Sequence, residues 1–249
     1  MASEILENGR PASVFVIGDG RMGTIIRELV EADEGLTLAG IVGIDTKDDL
    51  REAAPAADVA IDFSHKDMLP LVEAYIRRTG AALVSGVTGY SDEELARVRA
   101  LADRAPVIHS ANYSLGVAVL RRLSALAAQA LAEFDIEITE THHNQKADAP
   151  SGTAKLLLDA VNPDGAYEPV YGRVGMCGKR DSREIGVHAL RGGTVAGTHT
   201  VHFFGSDEEV ELTHRATSRR IFATGAVAAA KKLVAADPGF YTFDELMFE

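Results

Sequence analysis

Residues 140–154 read "ETHHNQKADAPSGTA", a stretch whose side-chain types and spacing suit proton transfer to or from a small anion. His142 and His143 close a run, "DIEITETHH" (135–143), in which Ile alternates with acid, the pattern of a strand. Neighbours in extended chain point to roughly opposite sides, so the two imidazoles have different surroundings. Lys146 follows in a loop that Pro150 ends, and Ser151-Gly152-Thr153 starts a helix. The Gly152 and Thr153 N–H groups at a helix N-terminus make a carboxylate site, to which the Thr153 hydroxyl adds a donor. Lys146 brings positive charge, and a histidine gives or takes a proton near neutral pH. The set suits a small anionic substrate whose C=C or C=N bond receives a hydride and must then be protonated. Three other readings stand beside this one: solvated loop histidines, a plain helix cap at Ser151-Gly152-Thr153, and a metal site. Adjacent histidines lack the i, i+4 spacing of a helical zinc pair, and Cys177, His188, His199, His202 and His214 would complete a site only through tertiary folding, so no metal is expected.

A hydride needs a carrier, and "GDGRMG" (18–23) offers a place for one. It is G-x-G-x-x-G on Gly18, Gly20 and Gly23, with Asp19, Arg21 and Met22 between them, and it lies between a strand-like run and a helical stripe. Gly18 allows the tight turn, Gly20 lets the backbone approach a pyrophosphate, and Gly23 lets helix pack on strand. The helix N-terminus attracts phosphate, and Arg21 adds a donor. A plain βα turn is the alternative. The acid that binds the adenosine ribose is expected at the end of the second strand, roughly 20 residues on. There "LTLAGIVGID" puts Gly43 in the first place to look and Asp45 two residues later. Asp45 serves if the strand runs on; otherwise it is a solvated loop acid. Lys47 is the nearby base, so NADH and NADPH both stay open.

The elements that position these residues change character along the chain. "SVFVIG" (13–18), "LTLAGIVGI" (36–44), "DVAIDFS" (58–64), "AALVSG" (81–86) and "PVIHS" (106–110) read as strands. "RMGTIIRELVEA" (21–32), "MLPLVEAYIRRTG" (68–80) and "SDEELARVRALADR" (91–104) read as helices between them, the last opened by Ser91 with a capping-box Glu94. That alternation predicts a Rossmann-type, doubly wound parallel sheet in an α/β protein, with its ligand crevice beyond the carboxyl ends of the strands. "GDGRMG", "GVTGY" (86–90) and "SANYS" (110–114) fall at those ends. From residue 114 the alternation stops. A long helix (114–134), the strand ending in the histidines, a helix from Ser151, three strand-like stretches within 183–214 and a last helix (218–236) predict a second, α+β domain with a mixed sheet. The expected domains are 1–112 with 219–249 for the dinucleotide and 113–218 for substrate, with the substrate in the cleft between them.

The balance of the chain excludes several partners. It has 249 residues with a formal net charge of −12 and no basic run, which argues against nucleic acid and against a membrane surface. No apolar run approaches the roughly 18–20 residues that span a bilayer, and "MASEILENGR" lacks the apolar centre of a secretory signal, so a cytoplasmic protein is expected. Cys177 is the one cysteine and is expected to be a small buried hydrophobe; the first ten residues are expected to form a flexible tail.

"EITETHHNQKADAPSGTA" closely resembles the signature of the 4-hydroxy-tetrahydrodipicolinate (dihydrodipicolinate) reductases, and "GDGRMG", "DVAIDFS", "SGVTGY", "SANYSLGV", "GRVGMCGKR", "EIGVHALRGGTVAGTHTVHF" and "THRATSRRIFATGA" extend the similarity over nearly the whole chain. The resemblance implies an NADH- or NADPH-dependent reduction of a small dicarboxylate, 4-hydroxy-tetrahydrodipicolinate, to tetrahydrodipicolinate with loss of water, in the diaminopimelate route to lysine. It implies His142 as proton donor and acceptor, Lys146 as catalytic lysine, and His143, Gly152, Thr153 and Arg219 as substrate residues. It gives 18–23, Gly86-Val87-Thr88 and Ser110-Ala111-Asn112-Tyr113 as cofactor loops, and a homotetramer built through the second sheet. The chain departs from the family pattern at Gly43, where the ribose acid would stand, at Val87, where a hydroxyl is replaced, and at Tyr113, which adds one. Another two-domain reductase with a Lys/His pair would share the glycine turn but has no reason to contain "KADAPSGT"; a dinucleotide sensor without turnover would bind NADH but not oxidise it.

Overall fold

Short apolar runs that end in glycine or a small polar residue become the buried strands of a parallel sheet, because helices cover both faces and no alternation is needed. The computed structural model describes residues 9–248, in two compact units, one of residues up to 114 and from 220 onward, the other Leu115–Arg219.

In the first unit β1 (Ala12–Ile17), β2 (Leu36–Val42), β3 (Val59–Asp62), β4 (Ala82–Ser85), β5 (Pro106–His109) and β11 (Gly239–Tyr241) form one sheet in the order β11-β5-β4-β3-β1-β2, every pair parallel. Helices α1 (Arg21–Glu31), α2 (Leu69–Thr79) and α3 (Asp92–Ala100) connect successive strands, and α6 (Arg220–Leu233) and α7 (Phe243–Phe248) complete the unit. Ser91 caps α3, and Glu94 answers with a reciprocal bond to the Ser91 N–H, the capping box that the sequence announces. Pro70 causes no break, since it sits in the first turn of α2, where an N–H would lack a partner in any case. The strand β2 ends at Val42, two residues short of the sequence reading.

In the second unit β6 (Asp135–His142), β7 (Glu168–Val170), β8 (Glu184–Arg191), β9 (Gly197–Phe204) and β10 (Glu209–Ala216) lie in the order β10-β9-β6-β8-β7, a mixed sheet. Helices α4 (Leu115–Ala130) and α5 (Gly152–Val161) cover one face, where Ile136, Ile138, Ile185, Val187, Val201 and Phe203 meet Leu120, Leu157 and Leu158 in one core. The α4 helix stops four residues before the sequence reading; Phe134 instead turns the chain into β6 and packs its ring against the place a Cβ on Gly205 would take, 2.7 Å away.

Two expectations are corrected. Cys177 is exposed, its thiol directed to the Val174 carbonyl within an exposed loop rather than into a core. Arg10 is not part of a free tail: its guanidinium donates two bonds of 2.7 Å to Asp58, and that contact, with the Ser13 donors, holds the Asp58 carboxyl down to about 2. The rest of the proposed tail, residues 1–8, lies outside the described residues. Among the described residues no helix is long and apolar enough to cross a membrane.

Candidate active site

On β6 the alternation buries Ile136, Ile138, Glu140 and His142 together, so a carboxylate and an imidazole two residues apart share the helix-covered face. Glu140 is fully buried, and its carboxylate accepts four hydrogen bonds. His142 Nδ1 is 2.7 Å from Oε2, the Arg191 guanidinium donates to both oxygens at 2.7 and 2.8 Å, and the Ser151 N–H donates to Oε1 at 3.0 Å. Arg191 arrives from the end of β8 because the parallel register pairs it with His142. Burial pushes the Glu140 carboxyl up, but the bonds from Arg191, His142 and Ser151 outweigh it and hold the group below the usual carboxylate range.

An ionised carboxylate only accepts, so His142 must carry a proton on Nδ1. Neutral His142 then has its lone pair on Nε2, and the imidazolium donates from the same atom. Nε2 lies beside Gly197, where a Cβ would come within 3.0 Å of it; Gly197 sits at φ 154°, so a larger residue would both strain the backbone and crowd the imidazole.

Beyond the strand the chain turns back. The His143 and Asn144 N–H groups donate to Val195 and Gly193 carbonyls, tying this loop to the β8–β9 connection. His143 Nε2 is 2.8 Å from Arg219, and since a guanidinium only donates, His143 is the acceptor. Loss of hydration and the nearby Arg219 lower its affinity for a proton. Lys146, mostly buried, donates to Asp148 at 2.7 Å, which holds the Asp148 carboxyl below its ordinary range. Ser151 caps α5 by accepting from the Ala154 N–H, so Gly152 and Thr153 head the helix, where N–H groups point outward along the axis. A Cβ on Gly152 would meet no atom within 4 Å: space stands open beside it.

The structure therefore brings His142, His143, Lys146, Gly152, Thr153 and Arg219 onto one end of the second unit's sheet and its adjoining loops. Glu140, Arg191, Ser151 and His199 were missed as site residues. The sequence signal for Glu140 was available, an acid at i−2 from a strand histidine on the apolar face, whereas Arg191 and His199 come close only through strand register. His199 shares a 3.0 Å hydrogen bond with Ser151 Oγ, and its ring meets that of His142 edge-on at 5.1 Å.

Burial, reinforced by His142, lowers the His199 imidazole to about 4, so it stays neutral in the folded protein. Glu140, His142, His214 and Lys146 surround it; of these only Glu140 favours its charging. The unfolded chain binds a proton below about pH 6.5 that the folded protein refuses until about 4, so stability falls as pH drops through that interval, by roughly 3 kcal/mol at most. His199→Asn removes this term, and the expected result is a flatter dependence of melting temperature on pH between 6.5 and 4.5; an unchanged slope would show that His199 does not set it.

In the first unit the glycine turn has the features a pyrophosphate needs. Gly18 takes φ 102°, and a Cβ there would lie 2.9 Å from the Phe63 carbonyl. A Cβ on Gly23 would meet the Gly18 carbonyl, so glycine is required for α1 to approach the turn, while Gly20 is open to solvent with nothing within 4 Å. The α1 N-terminus, flanked by the exposed Arg21 and part-buried Met22, carries no side-chain cap. These residues fit a dinucleotide. The other loops are held rigidly. A Cβ on Gly86 would collide with the Phe63 ring, the Val87 side chain is buried and Thr88 is exposed, and His109 Nε2 is 2.9 Å from the Val87 carbonyl. The Asn112 carbonyl accepts from Ser110 Oγ at 2.8 Å, folding the Ser110-Ala111-Asn112 turn on itself. The extra hydroxyl of Tyr113 points into the core, where it donates to the Ser85 carbonyl at 2.7 Å and burial pushes its pKa well up. Asp45 is exposed and lies beyond the end of β2, so the longer strand that would have carried it does not form. The carboxylate beside Gly43 is that of Asp19.

Comparison with known proteins agrees over both units. Residues 12–113 match the family model "Dihydrodipicolinate reductase, N-terminus" and residues 116–247 match "Dihydrodipicolinate reductase, C-terminus". The chain is 39% identical to the 4-hydroxy-tetrahydrodipicolinate reductase of Brachyspira hyodysenteriae (94% of this chain, 99% of the relative) and 40% identical to that of Staphylococcus epidermidis (94% and 100%). Among solved structures, the dipicolinate-bound dihydrodipicolinate reductase from Paenisporosarcina sp. superposes with a TM-score of 0.74 at 21% identity, covering 96% of this chain and 100% of that one, which shows a shared fold.

Proposed function

The chain belongs to the dihydrodipicolinate reductase family, and from that premise we propose that His142 and Lys146 are the catalytic pair of a lysine-pathway reductase that converts 4-hydroxy-tetrahydrodipicolinate to tetrahydrodipicolinate with loss of water. The observation that carries these roles is the buried Glu140 carboxylate 2.7 Å from His142 Nδ1, which dedicates Nε2 to the proton. The reaction takes in one hydride and one proton and releases water. A nicotinamide dinucleotide, NADH or NADPH, supplies the hydride when bound. Gly18, Gly20 and Gly23 with Arg21 and the α1 N-terminus hold its pyrophosphate, and the loops at 86–88 and 110–113 hold the rest.

His142 holds the proton at Nε2 and delivers it to the substrate, with Glu140 stabilising the imidazolium beforehand and fixing the ring afterwards. Lys146 exchanges Asp148 for a substrate carboxylate and offsets its charge. The Gly152 and Thr153 amides and the Thr153 hydroxyl clamp a carboxylate, and His143 with Arg219 contributes a further polar edge. The first unit thus serves the dinucleotide and the second the substrate. The face of the second sheet away from α4 and α5 exposes Leu190 and Phe204, which supports a homotetramer built through that face, and the biosynthetic role fits the cytoplasm.

The absorbance of NADH or NADPH falls when the unstable substrate is generated in situ by the preceding synthase; no fall with either nucleotide would contradict the proposal. Thr153→Val, which deletes a donor to a charged group, is expected to raise the substrate KM about tenfold or more while nucleotide affinity holds. An unchanged KM would remove Thr153 from the clamp.

A further inference from the structure

The end of β2 is where an open parallel sheet of this kind places the acid that hydrogen-bonds the adenosine ribose, and here the position carries glycine. Gly43 is buried, and the three atoms nearest to an ideal Cβ built on it all belong to the Asp19 carboxyl group, with Oδ2 only 1.9 Å away. The carboxylate of the glycine turn therefore occupies the volume that a side chain at 43 would fill. Strand register explains the meeting. Ile17 pairs with Val42, and the Gly18 N–H continues the ladder to the Val42 carbonyl at 2.8 Å, so the residue after Gly18 emerges next to the residue after Val42. Thr46 Oγ1 accepts from the Gly43 N–H at 3.1 Å and turns the chain away, leaving Asp45 beyond the strand. Asp19 is exposed, and among the described residues its carboxylate has no hydrogen-bond or ion-pair partner.

We propose that Asp19 replaces the missing strand-end acid, accepts hydrogen bonds from the adenosine ribose hydroxyls, and makes the chain discriminate for NADH against NADPH. A carboxylate welcomes two hydroxyl donors but repels a 2′-phosphate, which brings like charge and removes one of those donors. This rests on the reading of "GDGRMG" as the dinucleotide turn. Arg21 and Lys47 are the basic side chains nearest in sequence. Both are exposed and attract phosphate, but the group beside the strand-end position is the Asp19 carboxylate.

The test is equilibrium titration of the whole chain with NADH and with NADPH separately, read by nucleotide fluorescence. The wild type is expected to bind NADH at least about tenfold more tightly than NADPH, and Asp19→Asn, which keeps the shape and removes the charge, to bring the two affinities within about threefold. Asp19→Gly combined with Gly43→Asp returns an acid to the strand end, into space that Asp19 has vacated, and is expected to restore the preference for NADH. Equal affinities in the wild type, a preference for NADPH, or an unchanged ratio in Asp19→Asn would each overturn the assignment while leaving the dinucleotide turn intact. Failure of the wild type to bind either nucleotide would overturn that turn and this assignment together.

Discussion

His142→Gln is expected to lower kcat by about 10²–10⁴-fold while the dissociation constant for the reduced nucleotide stays within about twofold of the wild type. Glutamine keeps a polar group near the Glu140 carboxylate but has no ionisable nitrogen to carry a proton, so the loss falls on the step that needs one. The structural cost is small by comparison, since Arg191 still neutralises Glu140. Steady-state turnover with direct nucleotide titration separates the two quantities. Equal loss of turnover and of nucleotide affinity would mean that His142 supports the fold rather than the reaction.

Glu140→Gln is the second large effect, and it differs in kind. The amide that replaces the carboxylate can donate as well as accept, and it no longer obliges His142 to carry its neutral-state proton on Nδ1. Part of the population shifts to the Nε2–H tautomer, and the imidazolium loses its counter-charge. The expected result is a fall in kcat of about 10²-fold or more, with the affinity for the reduced nucleotide held within about twofold of the wild type. The change also leaves the Arg191 guanidinium without its anion. Breaking a buried pair in this way costs about 3–5 kcal/mol, so a lower melting temperature accompanies the kinetic effect. The position of the imidazole hydrogen separates the two: a purely structural role would lower the melting temperature and leave the neutral-state hydrogen of His142 on Nδ1.

The sequence made much of this legible, and the reasons lie in particular residues. The strands of the first unit are recognisable because a sheet covered on both faces needs unbroken apolar runs such as "SVFVI", and β6 is recognisable for the opposite reason, its alternation of Ile with acid. Ser91 with Glu94 and Ser151 with Ala154 are local caps, and local hydrogen bonds leave local signatures. What escaped was short or tertiary. Strand β7 is three residues with Pro169 in its middle, and β11 is three residues opened by Gly239; neither shows a period, and each exists because a neighbouring strand edge accepts it. Cys177 sits in a glycine-flanked loop that no apolar pattern marks as exposed or buried. The candidate site divides the same way. His142, Lys146, Gly152 and Thr153 lie within twelve residues and could be read together, whereas Arg191 reaches Glu140 from 51 residues away and Asp19 meets Gly43 from the next strand. Those meetings are set by register, which a single sequence does not display.

The central claim is that a buried carboxylate holds the proton of His142 on Nδ1 and so reserves Nε2 for the substrate. The most direct measurement is the nitrogen-15 NMR spectrum of imidazole-labelled protein, with His142 assigned by comparison with His142→Gln, at a pH where the ring is neutral. A protonated Nδ1 and an unprotonated Nε2 are the predicted result; a neutral ring with its hydrogen on Nε2 would contradict the account.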